Sequence, residues 1–503
     1  MADQSPARSG SPGGPSAGRA GQRDLTSGPI ARTLLAFALP TLGSSILQSL
    51  NGSVNAIWVG RFLGTDALAA TSNANILMFL LMAFVFGFGM ASTILIGQAF
   101  GRRDIDAARR TLGTAIGSFS VISFLIGLIG WIFAPALLHL LATPGGAYPF
   151  ALAYLRVIFI AMPSMMILVM LMMTLRGGGD AMTPLWFIAL AVVLDSGLNP
   201  VFILGLGPAP RLGIAGSATA TVIANYTALI ALLIYIYVRD LPLRLRGREW
   251  RYLLPDRALM KIIVVKGLPM GLQMIVVSSS ALALLGLVNR EGVNTTAAFG
   301  VAMQLWTYVQ MPAMAFGAAV SAMVAQNIGA GRWDRVSRIT RSGIIYAVLV
   351  TSVLVLALAV ADRPALALFL GGHSPALPIA RHIQILATWN FVLFGVTLVL
   401  FGTVRANGAV VGPLVILAIG LYPVRLGFAF GAYHWLKADA LWLSFPIGSI
   451  SNLVLAIAFY LHGGWRKARM QVGGAPAPPL DEEEAVEEAL ADAEPGGRFN
   501  PAG

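Results

Sequence analysis

Trp186-Phe-Ile-Ala-Leu-Ala-Val-Val-Leu-Asp195-Ser-Gly-Leu-Asn199-Pro200 places one carboxylate behind nine consecutive apolar residues. The run lies in an apolar segment at about 183–205, and about 20 such residues suffice to cross a bilayer as a helix. Eleven more apolar segments flank it, at about 34–59, 67–97, 112–137, 150–174, 214–238, 261–288, 296–326, 340–361, 380–404, 409–432 and 441–462. Twelve in series predict an all-α polytopic membrane protein. Composition agrees. Of 503 residues, 57% are apolar and only 11% charged, against about 25% charged in soluble domains. So few charges cannot cover a water-soluble globule of this length. The absence of cysteine excludes a disulfide scaffold, a zinc finger and an Fe–S cluster. Five scattered histidines argue against a His-rich metal site.

The net charge of +12 is distributed as a topology signal. Arg102, Arg103, Arg109 and Arg110 follow the second segment, Arg176 the fourth, and Arg239, Arg244, Arg246, Arg248, Arg251 and Arg257 the sixth. Arg332, Arg335, Arg338 and Arg341 follow the eighth, Arg405 the tenth, and Arg466, Lys467 and Arg469 the twelfth. The intervening connections are poor in basic residues. This alternation predicts cytoplasmic termini, and it accounts for the basic balance without a nucleic-acid partner. Residues 1–28 are Gly-, Ser-, Pro- and Ala-rich, and 464–503 carry eight of the 22 acids, so both are expected to be disordered tails.

The chain repeats itself. Gln98-Ala-Phe-Gly101 returns as Gln326-Asn-Ile-Gly329, 228 positions on, as Asp106 returns as Asp334 and Arg110 as Arg338. Pro40 matches Pro269, Arg176 matches Arg405 and Pro184 matches Pro413, each 229 on. Two six-helix halves are expected, at 29–238 and 259–463, joined by a basic cytoplasmic linker at 239–258. Six spans per half give both halves the same orientation, related by an axis along the membrane normal.

Polar groups inside spans are costly and tend to face a bundle interior or a wet cavity. Asp195 is the one acid deep in a segment, and Asn199 shares its helix face four residues on. Pro200 frees a backbone carbonyl nearby. The first segment carries Ser44, Gln48, Asn51 and Asn55 on one face, with Pro40 expected to bend the helix. The sixth carries Ser217, Thr221 and Asn225. These three helices are expected to enclose a small hydrophilic chamber. A carboxylate there can be neutralised by a proton, or can hold Na⁺ with oxygens from Asn199, Asn55 and Thr221. The alternative is a purely structural interhelical hydrogen bond.

The second half offers Gln273, Gln304, Tyr308 and Asn390, with Arg425 as its one deep cation. Arg425 either pairs with helix-end carbonyls or faces a central cleft. Methionines cluster at Met165, Met166, Met170, Met172 and Met173, which suits a surface that accepts varied apolar ligands. Trp306 and Tyr308 are candidates to stack on a cationic or aromatic ligand. Gln48, Asn51, Asn225, Gln273, Gln304, Trp306 and Tyr308 form the expected cavity lining. No P-loop, His-Glu-x-x-His or Gly-x-Ser-x-Gly is present, so neither direct ATP drive nor those enzyme classes are expected.

Leu39-Pro40, Ala56-Ile-Trp58-Val-Gly60, Gly64-Thr-Asp-Ala-Leu-Ala-Ala70, Gln98-x-x-Gly101, Arg176-Gly-Gly-Gly-Asp180 and Gly213-Ile-Ala-Gly216 resemble the multidrug and toxic compound extrusion (MATE) family. The chain looks most like the damage-inducible (DinF-like) branch. The resemblance implies a two-lobed monomeric antiporter of the bacterial inner membrane. It would export small organic cations in exchange for H⁺ or Na⁺, with no cofactor. It also implies an N-lobe ion site at Asn55, Asp195 with Asn199, and Thr221, in which an amide replaces the branch's helix 1 acid and the helix 5 pair is reversed. Two other readings remain. One is a lipid-linked oligosaccharide flippase of the same superfamily, which should carry several cavity cations. The other is a membrane enzyme or receptor, for which no paired acids or nucleophile–base set is visible.

Overall fold

A computed structural model describes residues 24–63, 65–140, 146, 148–207 and 209–470. The first half consists of α1 (Ile30–Leu63), α2 (Thr65–Gly101), α3 (Ile105–Leu140), α4 (Tyr148–Gly177), α5 (Met182–Leu204) and α6 (Ile214–Val238). The second half opens with α7 (Arg257–Val288), α8 (Val293–Gly329) and α9 (Trp333–Val360). It continues through α10 (Asp362–Leu370), α11 (Ala376–Ala387), α12 (Asn390–Ala406), α13 (Val411–Ile419), α14 (Gly427–Gly431), α15 (Tyr433–Leu436) and α16 (Ala438–Leu461). Among the described residues, 11 helices are long and apolar enough to cross a membrane, or 12 when α11 and α12, bent by 45°, count as one span. The series agrees with the sequence reading, and two spans are less regular than it implies. The tenth is broken at Thr388 and Trp389, and the eleventh passes from α13 through a π-helical segment, Gly420–Leu426, into α14.

Apolar side chains drive the packing within each half. The helix α2 packs on α3 and α4, and α5 on α1 and α6, while α8, α9, α12 and α16 pack together in the second half. The halves meet where α2 crosses α7 and α8, and where α1 meets α8. Close approach there depends on glycine. A Cβ at Gly101 would stand 2.0 Å from the Gln326 carbonyl oxygen, and one at Gly329 would stand 2.1 Å from that of Gln98. Both contacts are closer than any Cβ tolerates, so the two helix ends can cross only as glycines.

The repeated Gln-x-x-Gly turns act as a matched pair. Gln98 Nε2 donates to the Ala406 carbonyl at 2.8 Å, and Gln326 Nε2 donates to that of Gly177 at 3.0 Å. Donors 228 apart reach acceptors 229 apart, so one interaction occurs twice across the seam. Both glutamines are buried, and both lie at the end carrying the basic loops.

The basic linker folds back on α3. Arg109 pairs with Glu249 at 2.7 Å and donates through Nε to the Pro242 carbonyl, and Tyr252 donates to Asp106 at 2.6 Å. Asp256 caps α7 by accepting from Ala258 N. The expected disordered tails lie outside the described residues, except for 24–28 and 464–470. These two stretches correct the expected boundaries, because their backbone groups find partners on the folded body. Leu25 is fully buried, donates to Gln326 Oε1 and accepts from Asn327 Nδ2, while Arg332 and Arg335 donate to the carbonyls of Thr26 and Gly28. Trp465 and Met470 are buried too, with the Trp465 carbonyl accepting from Asn407.

Candidate functional site

Asp195 lies midway along α5, 2% exposed. Its Oδ2 accepts from Asn51 Nδ2 of α1 at 2.9 Å, and its Oδ1 accepts from Thr221 Oγ1 of α6 at 2.9 Å. Asn199, fully buried one turn on, donates Nδ2 to the Asp195 carbonyl at 3.0 Å and reaches Oδ1 at 3.5 Å. Three helices thus converge on one carboxylate, as the polar stripes lead one to expect. Every donor is neutral, and among the described residues no arginine, lysine or histidine pairs with it. A buried carboxylate with no countercharge is costly, and either a proton or a small cation removes that cost.

The carboxylate stands in the wall of a cavity of about 460 Å³. Gln48, Asn51, Thr221 and Asn225 give it a polar strip, and Met82, Met165, Met172, Met274, Phe79 and Phe86 give it an apolar, deformable one. Met165 and Met172 come from the methionine cluster seen in the sequence, and Met274 of α7 brings in the second half. Met82, Phe79 and Phe86 carried no signal, because an apolar residue in an apolar helix does not announce which way it faces.

Asn55 is not brought to Asp195. Its Oδ1 accepts from Ser217 Oγ at 2.7 Å, one turn away along α1 and α6, and Asn51 takes the position at the carboxylate. Both amides lie on one face of α1, so helical spacing alone cannot choose between them. The axial level at which α1 crosses α5 decides it. Asn225 donates to the Thr221 carbonyl at 2.8 Å. Pro40 sits inside a helix that continues through it, and Ser44 donates to the Pro40 carbonyl.

The second-half residues expected to line the cavity lie elsewhere. Trp306 is a core residue, 2% exposed, tilted against Phe391 and edge-on to Phe445, with Nε1 donating to Gln384 Oε1 at 3.0 Å and Thr388 Oγ1 at 2.8 Å. Its size and buried partners make it a packing element with no face left for a ligand. Gln273 is buried and donates to the Val410 carbonyl, joining α7 to the start of α13. Gln304 and Tyr308 contact each other along α8, half-buried.

The MatE family model matches residues 40–201 and again 269–430, once in each half. The chain is 36% identical over 441 residues to "Probable multidrug resistance protein YoeA" of Bacillus subtilis (strain 168), covering 87% of this chain and 95% of that protein. It is 29% identical over 449 residues to "Probable multidrug resistance protein YpnP" of the same organism, covering 89% and 98%. A solved structure described as the outward-facing conformation of a multidrug resistance MATE family transporter superposes with a TM-score of 0.79 at 21% identity, covering 88% of this chain and 97% of that one.

Proposed function

The chain belongs to the MatE family of multidrug transporters, and on that premise we propose that it is an antiporter with Asp195 as its coupling carboxylate. It exports organic cations in exchange for H⁺ or Na⁺ across a bacterial inner membrane, with both termini cytoplasmic. The observation that carries this reading is a carboxylate held only by neutral donors in the wall of a 460 Å³ cavity. Such a group has no fixed partner to satisfy its charge, so its occupant can change. A proton, a sodium ion or the cationic part of a substrate can each complete it, and they compete for one site.

The surrounding amides accommodate the change. Asn199 Oδ1 is buried without a hydrogen-bond partner, beside the carboxylate its own Nδ2 reaches. With Asp195 ionised, Asn199 donates. With Asp195 protonated, a half-turn of the same amide presents Oδ1 to accept from the carboxyl O–H, and with Na⁺ bound it offers a ligand oxygen. Protonation of Oδ1 weakens the hydrogen bond it accepts from Thr221 and loosens α6 from α5, while Oδ2 still accepts from Asn51, which links occupancy to the packing of the first half. Rocking of the halves then exposes the cavity to alternate sides.

Reconstitution in proteoliposomes tests the reading, with ethidium efflux followed by fluorescence under an imposed pH gradient and then an imposed Na⁺ gradient. Acceleration by one gradient supports antiport and names the ion. Indifference to both removes the coupling proposal, and a lipid-scrambling signal in the same vesicles would favour a flippase.

A further inference from the structure

Arg425 lies deep in the second half, and the transport mechanism above does not use it. It sits in the π-helical segment Gly420–Leu426 that joins α13 to α14, two residues after Pro423. Such segments recur at functional sites because the wider turn re-aims a side chain. Arg425 is 7% exposed. Its guanidinium carbon stands 3.8 Å from the ring centroid of Phe445 on α16. Its stem lies along Gly448, where a Cβ would come within 3.0 Å of the Arg425 Cβ. Glycine at 448 makes room for the arginine.

Among the described residues the guanidinium makes no ion pair, and its Nε is buried with no hydrogen-bond partner. It does not pair with helix-end carbonyls, one of the two roles the sequence leaves open. One turn beyond Gly448, Asn452 Oδ1 is also buried and unpartnered. Ser449, between them, donates to Asn390 of α12 at 2.9 Å. An unsatisfied buried guanidinium is among the costlier features a fold can retain.

Its position in the repeat is informative. The two family matches are offset by 229, which carries Asp195 to 424. The offset holds at Pro184 and Pro413, ahead of the π-helical segment, and at the far ends of the two matches, 201 and 430, beyond it, so Arg425 lies one residue past the position equivalent to Asp195. The halves therefore carry opposite charges within one residue of equivalent points in the repeat.

We propose that Arg425 is a binding site for the carboxylate of an amphipathic aromatic solute, so that the two halves recognise groups of opposite charge. The Nη1–Nη2 end of the guanidinium, which is not closed off as Nε is, can pair in parallel with the two oxygens of a carboxylate. The Phe445 ring holds the fork flat, and Phe445, 9% exposed, is the aromatic contact for the solute, with Phe299, Trp306 and Phe391 forming the closed core behind it.

The test uses the detergent-purified full chain and fluorescence anisotropy, with no ion gradient, so it reads this site independently of coupling at Asp195. The probes are rhodamine 110, which has a free carboxylate, and rhodamine 123, its methyl ester. Arg425→Met is expected to weaken rhodamine 110 about 10- to 100-fold while changing rhodamine 123 by less than about twofold, with Arg425→Lys between. Equal loss of both dyes, or loss of neither, overturns the proposal. The wild-type protein gives a second test that needs no substitution. There 2-naphthoate is expected to displace rhodamine 110 and 2-naphthamide to leave it bound; naphthoate failing to compete overturns the proposal equally.

Discussion

Two buried carboxylates of the first half show how context assigns a role. Asp180, in the turn before α5, is 3% exposed and accepts from Met182 N, Thr183 N and Thr183 Oγ1. It is a helix cap, fully used by local donors. Burial pushes its pKa above the ordinary value, against the pull of the Thr183 and Met182 hydrogen bonds. A raised acid pKa gives a contribution present below about pH 4 and lost as pH rises through the folded-state value. Asp180→Ala is expected to cost about 1–2 kcal/mol, read as a lower unfolding temperature in detergent. Asp180→Asn should gain on wild type as pH is raised from about 4 to 7; a constant difference would contradict this. Asp195 has no such local use, and that much was legible in the sequence, since an acid behind nine apolar residues of a span must find its partners inside the bundle. Which amide meets it was not legible. Asn51 and Asn55 differ by one turn, and only the crossing of α1 with α5 tells them apart.

At the scale of elements, hydropathy identified the spans because each must be apolar along its length to lie in lipid. It could not show that the tenth is broken at Thr388 or that the eleventh widens into a π turn, because neither changes the apolar count. The break at Thr388 has a mechanism. Thr388 and Gln384 turn their side chains to Trp306 Nε1 and so tie α11 to α8. Trp306→Phe should leave Thr388 Oγ1 and Gln384 Oε1 with only each other in an apolar core, at a cost of about 1–2 kcal/mol in thermal unfolding. An unchanged unfolding temperature would show that the indole nitrogen holds nothing. The same contact explains why Trp306 misled as a ligand platform. An aromatic residue in a span looks alike in sequence whether it faces a cavity or a core.

For the whole molecule, the internal repeat was plain from the fixed offset of Gln98, Gly101, Arg176 and their partners. Its purpose was not, since the glutamines reach backbone carbonyls about 150 and 300 residues away, and carbonyls carry no sequence signature. The seam at the basic end is closed by two equivalent hydrogen bonds, Gln98 to Ala406 and Gln326 to Gly177. Removing both in a Gln98→Ala, Gln326→Ala protein should favour opening at that end by about 2 kcal/mol, roughly 30-fold in population. The chain contains no cysteine, so spin labels at Arg102→Cys and Ala330→Cys report this separation cleanly. The distance distribution should broaden and lengthen; an unaltered distribution would mean that the latch carries no weight.

The central claim is that one carboxylate couples ion movement to export. Its most direct measurement is ethidium transport in proteoliposomes by wild type and Asp195→Asn, under the gradient that drives the wild type. The expected result is ethidium transport by Asp195→Asn that no longer responds to the gradient, together with weakened ethidium binding, because an amide keeps the shape of the site and loses the charge that ion and cation share. Gradient-driven transport by Asp195→Asn at the wild-type rate would contradict the claim and place the coupling group elsewhere in the chain.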